Sequence, residues 1–177
     1  MRVAIFGGSL DPPHKGHVAI VREALRTLPI DLLIVMPTYR NPFKDRFAAP
    51  PHLRYRWLRK IFLSWPRVVV SDFEIRRNRP TYAIESVAYI KRRYAPTKIY
   101  YIIGSDNLAS LKRWKNYRRL KKEVEFVVAT RPGFKSRTKF RRLQVHVPIS
   151  STQLRAHPAR RYLPPIVAKE IIDFYRR

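Results

Sequence analysis

RVAIFGG (residues 2–8), SLDPPHKGH (9–17) and VAIVREALRTL (18–28) decide how the chain folds. Residues 2–6 are a short apolar, β-branched run, which reads as a strand. Two glycines end it. Residues 15–28 then place Val18, Val21, Leu25 and Leu28 at spacings of three and four, the period of an amphipathic helix. Strand, glycine turn and helix in that order open a βαβ unit, which needs a parallel partner strand further along.

The rest of the chain supplies such partners. Asp31–Met36 (DLLIVM) predicts a strand stopped by Pro37, and 38–50 a loop rich in proline and charge. His52–Leu63 predicts a helix with Leu53, Trp57 and Ile61 as its buried stripe, followed by a short strand at Arg67–Val70. Thr81–Tyr94 predicts a helix ended by Pro96, with Ile84, Val87, Ala88 and Lys91 one turn apart. Lys98–Ile103 (KIYYII) predicts a strand that stops at Gly104, then two short helical stretches near 106–112 and 115–122. Glu125–Thr130 and Leu143–Val147 predict two more strands, separated by a basic loop over 131–142. A short helix over 150–157 and a closing helix over Pro165–Tyr175 finish the chain. This alternation predicts an α/β fold: one doubly wound, Rossmann-like parallel sheet spanning 1–177, helices on both faces, and a small C-terminal helical subdomain. Ligands of such sheets bind at the carboxyl ends of the strands, so chemistry is expected just after them.

Composition narrows the class. The 177 residues hold 38 Lys and Arg against 12 Asp and Glu, a net charge of +26, with no cysteine. Hydrophobic residues make up 45% and include 9 Phe, 10 Tyr and 3 Trp, enough for a packed core. Without cysteine there is no disulfide framework, thiolate zinc site or cysteine nucleophile. No apolar run approaches the roughly 20 residues that span a bilayer. The N-terminus is a short strand running into glycines, unlike a signal peptide. A soluble, cytoplasmic protein without membrane contact is expected. Such charge attracts nucleic acid or phosphorylated small molecules. The basic residues run through both halves of the chain rather than forming a tail.

Gly7 and Gly8 allow tight turning and close approach of a ligand to the backbone. The helix that follows offers free N–H groups and a positive dipole end to an anion. His14 and His17 are three apart, so they face the same way and can donate to phosphate oxygens, and Gly16 leaves room between them for a nucleotide. The spacing is neither GxxxxGK[ST] nor GxGxxG. Two surface histidines after a Gly-Pro turn fit the same residues. A metal site lacks a third ligand nearby. Near the other end, Ser150, Ser151 and Thr152 start a helix, where hydroxyls either cap it or bind phosphate. Arg155 lies one turn on, and its guanidinium can reach back toward the helix start.

Gly8–His17 resembles the GxFxPxHxGH stretch of the HxGH nucleotidyltransferase superfamily, with Leu10 in place of the usual Phe, a change expected in packing rather than chemistry. Residues 149–155 (ISSTQLR) are similar to its ISSTxxR motif. The resemblance implies nucleotidyl transfer. It assigns catalysis to His14, His17 and Arg155, and ATP contacts to Gly7, Gly8, Ser9, Gly16, Ser150, Ser151 and Thr152. It also implies Mg²⁺ held by substrate and water, with no protein side-chain ligand to the metal.

Further segments resemble the bacterial-type nicotinate-nucleotide adenylyltransferases. Residues 39–44 (YRNPFK) are similar to their Pro-[His/Phe]-Lys loop, which implies Lys44 at phosphates, though a solvated lysine fits it equally when taken alone. Residues 71–75 (SDFEI) and 79–86 (RPTYAIES) resemble SDxEI and SYTxDT. That implies a carboxylate held near Tyr82 and Ala83 largely by main chain, since Ala83 lacks the usual threonine hydroxyl. Residues 102–114 follow IIGxDxLxxLxxW, which implies Gly104 and Asp106 at the ATP ribose and Trp114 against the pyridine ring, with core packing as the plainer role for Trp114. Residues 128–133 (VATRPG) resemble VxxRPG, which implies Arg131 near adenosine. The substrates implied are ATP and nicotinate mononucleotide, with no specific nucleic acid. A homo-oligomer is compatible with the sequence. Phosphopantetheine adenylyltransferase, an enzyme preferring nicotinamide mononucleotide, and a basic nucleic-acid-binding protein with a vestigial site are the competing expectations.

Overall fold

The computed structural model describes residues 1–131, 133 and 137–177. Its elements are β1 (Arg2–Gly8), α1 (Lys15–Thr27), β2 (Leu32–Pro37), α2 (Pro51–Phe62), β3 (Val68–Val70), α3 (Phe73–Arg76) and α4 (Ala83–Tyr94), then β4 (Lys98–Gly104), α5 (Tyr117–Glu123), β5 (Glu125–Thr130), β6 (Arg141–Gln144), α6 (Ser151–Ala156) and α7 (Pro165–Tyr175). Short 3-10 turns lie at Ser105–Asn107, Leu111–Arg113 and Arg160–Tyr162. The strands form one sheet in the order β3-β2-β1-β4-β5-β6, every pair parallel. β1 pairs with both β2 and β4, and from there the chain winds outward in two directions. The crevice above the carboxyl ends of β1 and β4 is therefore the topological switch point.

Side-chain alternation feeds the two faces. Ala4 and Phe6 of β1 pack with Val21, Ala24 and Leu28 of α1 and Leu58 and Phe62 of α2. Val3 and Ile5 pack on the other face with Ile84, Val87 and Ile90 of α4 and Leu120 of α5. A third cluster joins Trp57 of α2 to Leu154 of α6 and Val167, Ala168 and Ile171 of α7. This is the expected C-terminal helical subdomain, built against the outer side of α2. No helix among the described residues is long and apolar enough to cross a membrane.

The structure differs from the sequence-based expectations in three places. β6 spans Arg141–Gln144 rather than 143–147. The apolar pattern there marks burial, not pairing: Val145 and Ile149 are buried, but beyond Gln144 only the Val145 N–H continues the ladder, to Thr130. An edge strand tolerates the arginines that replace them in the ladder. On α4 the inward stripe is Ile84, Val87 and Ile90, whereas Lys91 is exposed and pairs with Glu123. The helical stretch expected near 106–112 is two short 3-10 turns, Ser105–Asn107 and Leu111–Arg113. The expected basic loop over 131–142 includes Pro132 and residues 134–136, which lie outside the described residues.

Candidate active site

The β1–α1 turn carries the site. His14 is the N-cap of α1, and its Nδ1 accepts from the Gly16 N–H at 3.0 Å. The His17 Nδ1 accepts from the His14 N–H at 3.1 Å. Together they form a capping box made of two histidines. Each Nδ1 is occupied as an acceptor, so a neutral ring carries its proton on Nε2. The rings stack at 3.7 Å. Nothing among the described residues hydrogen-bonds the His14 Nε2. Burial, with a smaller contribution from the Arg131 charge, holds the His14 pKa down to about 3. Burial, then His14 and Arg131, hold His17 well below the usual imidazole range. The pair thus presents neutral N–H donors at a helix N-terminus.

Gly16 has a different use from the one expected. A Cβ there would stand 2.7 Å from Cε1 and 2.9 Å from Nδ1 of His14. The space a Gly16 Cβ would take is filled by the His14 ring, which curls over its own helix start. Gly104 behaves similarly. A Cβ there would meet Oδ1 of Asp106 at 2.5 Å, so glycine lets that exposed carboxylate fold back over the end of β4.

Two cavities flank the turn, and both are lined by Thr38 and Asn41. One, of about 520 Å³, is cationic: Arg40, Lys44, Arg46, Arg54 and Arg155 line it with Ser9 and Asp11. The other, of about 500 Å³, is aromatic: Phe43, Tyr82, Tyr101 and Trp114 line it with Gly7, Gly8, Ala83 and Glu74. Lys44 and Arg155, far apart in sequence, meet in the first. Tyr82, Ala83 and Trp114 meet in the second. Trp114 both lines the cavity and packs edge-to-face on Tyr101 and Phe126, the plainer core role, with its ring at the cavity wall. Gly7 and Gly8, assigned to ATP by resemblance, border the aromatic cavity. Arg131 is exposed after β5 and acts on the histidines through its charge.

The second motif closes on the first. Ser151 Oγ donates to the Pro12 carbonyl at 3.0 Å, and Arg155 Nη1 donates to the Asp11 carbonyl at 2.6 Å. Arg155 Nη2 also donates to Thr152 Oγ1 at 3.2 Å. Ser150 Oγ accepts from the Gln153 N–H at 3.2 Å while the Gln153 side chain accepts from the Ser150 N–H at 2.9 Å. Ser150 is therefore a helix cap, as the plainer expectation had it.

Three supporting residues carry no motif signal of their own. Arg54, 1% exposed, donates to the carbonyls of Ala49 (3.0 Å), Ser9 (2.5 Å) and Tyr39 (2.9 Å), clamping both ends of the β2–α2 loop to the β1–α1 turn. The Asp11 carboxylate accepts from the Ala48 and Ala49 N–H groups and from the Tyr175 hydroxyl of α7. An arginine on the apolar stripe of α2, beside Trp57 and Leu58, was the available sign for Arg54. Asp11 and Tyr175 gave none, since their contact spans most of the chain.

Among the described residues no group of three or more His, Asp or Glu could hold a metal. The cationic cavity suits a polyanion, and a divalent ion would enter it on the polyanion's oxygens.

The chain matches the cytidylyltransferase-like family over residues 5–157. A protein named "Probable nicotinate-nucleotide adenylyltransferase" from Nitratiruptor sp. is 61% identical over 176 residues, covering 99% of each chain. Proteins of the same name from Sulfurimonas denitrificans and Aliarcobacter butzleri are 48% and 44% identical, covering 98% of this chain and 94% and 96% of theirs. A solved structure of Plasmodium falciparum nicotinic acid mononucleotide adenylyltransferase complexed with NaAD superposes with a TM-score of 0.79 at 21% identity, over 99% of this chain and 97% of that one. At that identity the likeness concerns the fold.

Proposed function

The chain belongs to the cytidylyltransferase-like family, among the nicotinate-nucleotide adenylyltransferases, and from that membership we propose that it transfers the adenylyl group of ATP to nicotinate mononucleotide. The products are nicotinate adenine dinucleotide and pyrophosphate. The observation that carries this reading is the pair of adjoining cavities, one cationic and one aromatic, which share Thr38 and Asn41 and flank the Gly7–Asp11 turn; His14 and His17 follow that turn and line neither cavity.

The acceptor's phosphate is already ionised, so its oxygen attacks the α-phosphorus without a protein base. The new P–O bond forms as the bond to the bridging oxygen of the β-phosphate breaks, and pyrophosphate leaves with that electron pair. No covalent enzyme intermediate is needed. The protein's work is positioning and charge stabilisation. His14 and His17 donate Nε2–H bonds to phosphate oxygens, and ligand charge draws their low pKa values upward. Lys44 and Arg155 supply positive charge on the triphosphate, and Arg155 with Ser151 fixes the turn that carries the histidines. Tyr82 and Trp114 enclose the pyridine ring, and the first N–H groups of α4 at Ala83 face its carboxylate. Mg²⁺ carried in by the triphosphate would neutralise part of its charge, with no protein side chain assigned to hold the ion. The work of these residues follows ATP into a cytoplasmic step of NAD synthesis.

The test is pyrophosphate release with ATP, Mg²⁺ and each of nicotinate mononucleotide, nicotinamide mononucleotide and phosphopantetheine. Turnover is expected with the first. Its absence in folded protein overturns the reading.

A further inference from the structure

We infer that Glu74 sets the pH range in which this protein takes an acid acceptor: the aromatic cavity accepts a pyridine carboxylate only while Glu74 holds its proton. The inference rests on the reading above, in which that cavity takes nicotinate mononucleotide.

Glu74 comes from α3 and lines the aromatic cavity while only 3% exposed. One oxygen, Oε1, accepts from the Ser86 hydroxyl at 2.6 Å. The other, Oε2, is buried and has no hydrogen-bond partner among the described residues. No ion pair among those residues reaches it, in a chain with 38 basic side chains. The charges around it make their direct contacts elsewhere. Arg54 of α2 donates to three carbonyls and acts on Glu74 only through its charge, an attraction smaller than the effect of burial. Glu85 of α4 pairs with Arg77 and Arg79 and repels a second anion. Tyr101 of β4 is buried and neutral. Arg113 and Lys115 line the same cavity and lie over the rings of Phe43 and Tyr82 at 5.4 and 4.7 Å.

A carboxyl group in this setting is stable as the neutral acid. Burial raises its pKa to about 8; the Ser86 bond and the Arg54 charge oppose the rise and Glu85 adds to it. The acceptor brings a second carboxylate into a cavity of about 500 Å³. If Glu74 were ionised, two anions would share that cavity while its lining cations, Arg113 and Lys115, sit over ring faces and form no ion pair with Glu74 among the described residues, so their mutual repulsion opposes binding of the second. A neutral Glu74 removes the conflict. An amide acceptor carries no charge there and is indifferent to it. Glu74 is thus a specificity-determining residue whose proton is a condition for binding the acid.

The experiment is the pH dependence of KM for nicotinate mononucleotide at saturating ATP and Mg²⁺, in wild type and E74Q. Glutamine keeps the shape and an acceptor for Ser86 but cannot ionise. One group titrating near pH 8 predicts a wild-type KM rising roughly tenfold between about pH 7 and pH 9, with kcat nearly constant. In E74Q the KM should stay level. S86A is the second variant. It removes the bond that favours the ionised form, so the rise should move to higher pH. A flat wild-type profile, the same slope in E74Q, or no displacement in S86A overturns the inference. Failure of wild type to use nicotinate mononucleotide at neutral pH would instead overturn the functional reading itself.

Discussion

His14 and His17 stack with ring centroids 3.7 Å apart and an interplanar angle of 24°, each with its Nδ1 closed by a main-chain N–H. The backbone thereby chooses the tautomer of both rings and leaves Nε2 as the one position from which either neutral ring donates. His17→Ala removes one of two donors and the bond to the His14 N–H. Turnover should fall about 10²–10³-fold, the usual cost of losing a preorganised donor to a transition state. Circular dichroism should be unchanged. Activity within a few-fold of wild type would refute the role.

Gly16→Ala puts a methyl group 2.7 Å from the His14 ring. The ring must leave its capping position, at a stability cost of about 1 kcal/mol. We expect kcat/KM to drop at least roughly tenfold while the protein stays folded, because the donor geometry is lost rather than the donor. A crystal structure or NMR of the variant would show the imidazole turned away from α1.

Arg54→Ala leaves the carbonyls of Ser9, Tyr39 and Ala49 without their shared donor. Destabilisation of about 3 kcal/mol or more is expected in denaturant unfolding. Lysine should not rescue it, since one ammonium cannot reproduce the planar fork that reaches three carbonyls.

Tyr175→Phe tests whether α7 supports the catalytic turn. The hydroxyl donates to the Asp11 carboxylate, whose own carbonyl is held by Arg155. Loss of about 1–2 kcal/mol is expected, together with a several-fold fall in kcat at little change in KM for either substrate. Unchanged kcat would confine the contact to stability.

Stability should peak near pH 6. His14 titrates at about 3 when folded and about 6.5 when unfolded, so its contribution is present above pH 6.5 and is lost as pH falls toward 3. Glu74 titrates at about 8 when folded against about 4.5 when unfolded, so its contribution is full below about pH 4.5 and is lost as pH rises through 8. Chemical denaturation at about pH 4, 6 and 8 should show both losses. E74Q should flatten the alkaline one, and His14→Asn, which keeps a cap, the acidic one.

Much of the site was legible because its residues are consecutive. Residues 7–17 and 149–155 each form a local turn and cap, so spacing alone put His14 beside His17 and Arg155 over its own helix start. Arg155's partner on the opposite loop, the Asp11 carbonyl, was not legible, nor was Glu74's position in the lining of the aromatic cavity. Lys91 and the strand expected at 143–147 went astray for a related reason. Hydrophobic periodicity reports which side chains are buried, whereas ladder pairing and the edge of a buried stripe depend on what the rest of the chain places there.

Sequence by itself determined the alternation of strands and helices and the two motifs with their histidines and arginine. These are consequences of local sterics and of side-chain period. Only the tertiary structure decided which carboxyl ends meet at the β1–β4 switch point, and that Arg54 and Asp11 tie the β2–α2 loop and α7 to one turn. It likewise decided that Glu74 lines the aromatic cavity without an ion-pair partner among the described residues. Those facts depend on desolvation and on contacts between residues far apart in the chain, and the free energy of a buried charge or donor is fixed only when its neighbours are.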